Sequence, residues 1–183
     1  MARRTGLVVV LAIMGAIAVG VLAAVAVADE GGSVRERLTG YEEVPALSTP
    51  GVGQFRASID ARDDEIDYRL SFSGTESNVT QAHIHFENAT NNGPIVVFLC
   101  TNLGNGPTGT QACPATGGTI NGTIRPADVG AGAAAQGLAA GEFDELVRAI
   151  RAGATYVNVH TVVRPGGEIR AQLAKGGGDD DDD

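Results

Sequence analysis

Basic residues are scarce in this chain: 13 lysines and arginines stand against 22 aspartates and glutamates, a net charge of −9. Without Arg3 and Arg4 the charge is −11, and without the five terminal aspartates as well it is −6. A nucleic-acid partner needs a basic footprint for the phosphate backbone, so that class is set aside. Adhesion to anionic lipid headgroups fails on the same ground. Both methionines, Met1 and Met14, fall in the first 28 residues. The remainder therefore has no thioether to help hold soft copper(I). There is no Cys-x-x-Cys pair, no glycine-rich phosphate loop leading into a helix, and no serine in a nucleophile elbow. Glu42 and Glu43 point to opposite faces of an extended segment, which suits a solvated edge better than paired acid–base work. Nothing specifies a hydrolase.

The two ends do not read as part of a fold. Arg3 and Arg4 precede an apolar run from Leu7 to Ala28 that closes on Ala26, Val27 and Ala28. A basic start, an apolar middle and a small-x-small end predict a signal peptide over residues 1–28, with an uncleaved membrane anchor as the alternative. Either places the rest outside the cytoplasm, secreted or at the cell envelope. Residues 29–37 read as a polar lead-in. Residues 175–183, glycines followed by Asp179 to Asp183, read as a disordered tail. What lies between is the size of one domain with its own core.

Cys100 and Cys113 are the only cysteines. In an oxidising compartment two cysteines around a Gly-, Pro- and Thr-rich loop are expected to form a disulfide. A copper–thiolate site is the alternative.

Most of residues 38–174 alternates at a period of two. Phe55, Ala57 and Ile59 share one face, and Ile66, Tyr68, Leu70 and Phe72 another, around the polar stretch 60–64; this predicts a hairpin. Residues 94–99 form a strand-length apolar run, and 119–124 a weaker strand. Residues 126–141, rich in Ala and Gly, resist assignment. Phe143, Leu146, Val147 and Ile150 fall at helical spacing before Gly153, predicting one short amphipathic helix. Ile169, Ala171 and Leu173 supply a last strand. Seven or eight short strands and one helix predict an all-β fold, an antiparallel β-sandwich or Greek-key barrel.

The only three histidines all sit on strands. Ala82, Ile84 and Phe86 alternate with His83 and His85, so both imidazoles leave the face opposite the apolar one. His160 likewise lies opposite Val157 and Val159. Three imidazoles on the solvent-facing register can converge on one zinc or copper ion if their strands are neighbours. Glu87, Asn158 and Glu168 are candidates to orient the rings. Metal binding should then fade below about pH 6.5, where free imidazole takes up a proton. The competing reading is a non-catalytic extracellular adhesion or interaction module, partnered by an envelope or extracellular protein, with structural histidines.

Leu38-Thr39-Gly40, Glu43-Val44-Pro45, Ala82 to His85, Asn92 to Val96, Tyr156 to Thr161 and Pro165 to Arg170 together resemble the CHRD (chordin) domain. The likeness runs from Leu38 to Leu173, with Ala46 departing where a second proline is common. The resemblance implies an exported domain but no settled activity. A looser likeness, of the His-x-His strand and the Val159–His160 strand end, is to copper–zinc superoxide dismutase. It implies a Greek-key barrel with His83, His85 and His160 as copper ligands. The chain has no further histidine for a bridged zinc site, so the reading leans away from an enzyme.

Overall fold

Alternation along each strand sends one set of side chains inward, and eight such strands close around that set. The computed structural model describes residues 32–60 and 64–174. The signal or anchor (1–28), the start of the lead-in and the tail (175–183) lie outside the described residues. The strands are β1 (Gly32–Thr39), β2 (Val52–Asp60), β3 (Glu65–Ser73), β4 (Val79–Phe86), β5 (Ile95–Thr101), β6 (Gly118–Ile124), β7 (Thr155–Thr161) and β8 (Ile169–Leu173). One α-helix, α1 (Phe143–Arg151), precedes β7.

The strands form a single antiparallel sheet in the order β5-β4-β7-β8-β1-β2-β3-β6. β3 pairs with β6 and β4 with β7, the long-range pairings of a Greek key. The sheet curls until its two edge strands approach. Tyr68 on β3 donates its hydroxyl to the Leu99 carbonyl on β5 at 3.1 Å, bridging the seam. The expected all-β Greek-key barrel is the observed fold.

The hairpin β2–β3 keeps the expected register, with Phe55 opposite Leu70 and Ile59 opposite Ile66. These side chains join Leu38, Ile84, Val157 and Leu173 in one core. The helix lays Phe143, Leu146, Val147 and Ile150 onto that core. Its acidic first turn and basic last turn complement the helix dipole. The Cys100–Cys113 disulfide is present. Closing a loop of this size stabilises by about 3 kcal/mol in the chain-entropy picture.

One segment differs from its sequence reading. The polar lead-in is largely β1, whose eight residues pair along β2. Val34 and Leu38 are buried among Arg35, Glu36 and Arg37, and Glu36, in the inward register, accepts a hydrogen bond from the Ala174 backbone. Two apolar residues in eight gave too weak an alternation to reveal the strand.

Candidate metal centre

On β4, Ala82 and Ile84 enter the barrel, while Gln81, His83 and His85 leave by its outer face. Antiparallel pairing sets Gln81 opposite His160 and His83 opposite Asn158 on β7. His160 is thus the diagonal neighbour of His83, within reach across the ladder. The convergence expected from the sequence occurs: one nitrogen from each of His83, His85 and His160 lies within 4.8 Å of the others.

The expectation that this face is solvent-facing is not met. His83, His85 and His160 are 0, 6 and 5 % exposed. The β4–β5 loop and the turn after β7 fold over the outer face, so β4 is buried on both sides. Alternation cannot distinguish a wet second face from one roofed by loops.

Backbone carbonyls fix two of the rings. His85 Nδ1 donates to the Gly93 carbonyl at 2.9 Å, and His160 Nδ1 donates to the Pro165 carbonyl at 3.0 Å. A carbonyl only accepts, so each of these rings keeps its lone pair on Nε2. His83 Nδ1 lies 3.3 Å from His160 Nε2. Two nitrogens on one ion, at 2.0–2.1 Å and a tetrahedral angle, stand about 3.4 Å apart, so this pair has a ligand spacing. His85 Nε2 and His83 Nε2 are buried without a hydrogen-bond partner among the described residues. Buried polar atoms normally find one, and a metal would satisfy the first. The residues fit a single ion held by three neutral imidazoles.

Burial also holds the rings neutral. It pushes the His83 imidazole far below its usual range, and the neighbouring His160 and His85 push the same way. His85 is lowered to about 4, chiefly by burial and further by His160 and Arg170, against the pull of the Gly93 carbonyl. His160 is lowered by burial, partly offset by the Pro165 carbonyl. Unprotonated imidazole is the form that binds metal.

The wall of the site is aromatic and cationic. Tyr156 stacks parallel on His85 at 4.7 Å, and its hydroxyl accepts the Gly93 N–H at 3.0 Å. Phe98 meets His83 edge-on at 4.4 Å. Behind Tyr156 the Arg170 guanidinium lies 3.8 Å from the ring centroid. It donates to the carbonyls of Asn91 at 3.2 Å, Ala89 at 3.2 Å and Asn88 at 3.4 Å, and to Asn92 Oδ1 at 3.2 Å. Arg170 thereby staples the loop that presents Gly93 to His85. Gly93 is needed there, since a Cβ would collide with the Phe86 carbonyl.

The residues expected to orient the rings do other work. Glu87 accepts from the Asn88 amide of its own loop. Glu168 is fully buried and accepts from Thr49 Oγ1, the Glu76 amide and Thr161 Oγ1 at 2.7–2.8 Å. Asn158 hydrogen-bonds Glu43, not a histidine. Main-chain carbonyls take the orienting role, and a carbonyl leaves no trace in residue type. Tyr156, Arg170 and Glu43 give no such signal in the sequence, because Tyr156 and Arg170 occupy the outward register of β7 and β8 and Glu43 follows a short turn. The Asn-rich loop, full of acceptors beside an arginine strand, was the one available signal.

Glu43, expected on a solvated edge, is 6 % exposed, and its Oε1 has no partner among the described residues. Burial raises its carboxyl to about 7, against the pull of Arg170 and the Asn158 hydrogen bond. A raised folded value means the native state holds the proton between about pH 4.5 and 7, so stability is lost as pH rises through that window. Glu43→Gln is therefore expected to stabilise the protein by about 2–3 kcal/mol at pH 8 and by little at pH 4.5. Urea midpoints at the two pH values check this, and an equal gain at both would refute it.

The CHRD domain family profile matches residues 34–173. The chain belongs to the CHRD domain family. No curated protein and no solved structure matches it. The matched span runs from within β1 to the end of β8, so the CHRD domain is the whole barrel and contains all three histidines. A CHRD domain with an internal disulfide fits an extracellular protein.

Proposed function

We propose that this CHRD domain binds a single copper or zinc ion through His83, His85 and His160, in metal handling or redox protection at the cell envelope or beyond. The supporting observation is the buried cluster of His83, His85 and His160, with ligand nitrogens within 4.8 Å of one another and two of the rings fixed by backbone carbonyls. Copper would supply a one-electron couple there, and zinc a Lewis acid. The chain's own contribution is to hold three neutral donors in place and to limit access to them. Low exposure and the lack of any further histidine favour holding an ion over turnover.

Calorimetric titration of metal-free protein with copper(II) or zinc tests this. One equivalent should bind, and His83→Ala/His85→Ala should abolish the heat. Unchanged affinity in that variant, with its circular dichroism intact, rejects the site. A second reading, an interaction module with structural histidines, draws support from Val162 and Val163, which are exposed beside His160. It predicts no stoichiometric metal.

A further inference from the structure

The arginines of this acidic chain are unevenly placed. Arg35, Arg56 and Arg69 are directly opposite one another across β1, β2 and β3. All three are exposed, and Arg37 lies on the same face two residues along β1. Elsewhere Arg125, Arg148 and Arg164 each hold a glutamate, and Arg170 is buried among carbonyls. The row has no such partner among the described residues. The acids nearest it stand toward the β2–β3 end. There Glu65 is held by Arg125, and Asp67 accepts from Thr123 at 2.6 Å.

Like charges set directly across strands oppose sheet formation, so this alignment has a stability cost that an anion would relieve. Neighbouring strands are about 5 Å apart, giving three guanidinium forks at that repeat over about 10 Å. Each fork can take a carboxylate bidentately. Ser33, Ser58, Gln54 and Ser71 flank the row with groups suited to sugar hydroxyls. No aromatic lies in the outward register of these strands to stack a base, which disfavours single-stranded nucleic acid.

We propose that the outer face of β1, β2 and β3 binds an acidic polysaccharide, with Arg35, Arg56 and Arg69 each holding one carboxylate of an extended chain. This face is separate from the histidine centre and does not depend on metal. The test is titration of the full chain with polygalacturonate and with uncharged dextran at low and moderate salt. Polygalacturonate alone should bind, more weakly as salt rises. Arg35→Gln/Arg56→Gln/Arg69→Gln should weaken binding about tenfold or more, while Arg148→Gln on the helix leaves it unchanged. Removing mutually repelling surface charges does not threaten the fold. Absence of binding, or equal binding by the triple variant, overturns the proposal. So does binding that emerges only when Asp179 to Asp183 are replaced by asparagine, which would assign the row to the chain's own acidic end.

Discussion

Acidifying the metal-free protein from pH 7 to pH 5 should lower its stability by about 1–2 kcal/mol or more, while its affinity for metal falls less than free imidazoles would allow. The two effects have one origin. His83, His85 and His160 all have folded values below that of a free imidazole. The unfolded chain therefore takes up protons below about pH 6.5 that the native state refuses, and stability falls with pH from there down to the folded values. By pH 5 His83 and His85 each contribute a loss of up to about 2 kcal/mol, about 4 for the pair, and His160 adds in the same direction. Glu43 opposes this. Its raised carboxyl regains the proton as pH falls through 7, returning about 2–3 kcal/mol by pH 5. Three losses against one gain leave the net fall.

Metal affinity follows the folded protein alone. A proton competes with the ion only below the folded value of the ring, which for His85 is about 4. The fading below pH 6.5 expected for free imidazole should thus move to lower pH, starting at the folded value of the ring that protonates first. Denaturation midpoints and metal titrations at pH 7, 6 and 5 separate the two effects. Glu43→Gln should steepen the stability loss by removing the opposing contribution. A metal affinity already falling between pH 7 and 6 would mean that the rings are wetter than their burial implies.

The legible and hidden parts of this molecule divide along the two faces of β4. Ala82, Ile84, Val157 and Val159 announce the barrel interior by period and composition, and the hairpin β2–β3 follows from the same signal. The three histidines could be placed together because all sit one register off an apolar face. Everything that closes over them was hidden. Tyr156, Asn158 and Arg170 look like ordinary outward residues, and only the path of loops 87–94 and 162–167 makes that side an interior. The sequence points to Glu87, Asn158 and Glu168 as orienting partners because residue type reveals side chains and not carbonyls. Residues 126–141 resist assignment for another reason. Their two short 3-10 turns, Pro126–Asp128 and Ala131–Gln136, bury Val129 and Ala133 without a period long enough to detect.

Arg170→Ala is expected to cost about 3–4 kcal/mol and to weaken metal binding about 10- to 100-fold, although Arg170 touches no proposed ligand atom. The side chain is 1 % exposed, so its loss leaves a cavity. It also strips donors from three carbonyls and Asn92 Oδ1, and removes the cation over Tyr156. Glu43 loses a favourable neighbour, so its proton is held to higher pH than before. The effect on metal runs through residues 88–93. Once unstapled, the loop no longer fixes the Gly93 carbonyl, and His85 becomes free to turn or change tautomer. Arg170→Lys keeps the charge but cannot span four acceptors, so it should recover part of the stability and little of the metal affinity. Arg170→Met restores packing but supplies no donor, so it should recover part of the stability and none of the metal affinity. Hydrogen exchange reads the mechanism directly: the Gly93 amide, held by Tyr156, should exchange faster in all three variants. Metal binding as tight in Arg170→Ala as in the native chain, with that amide still protected, would show that β4 and β7 hold the histidines without help from the loop.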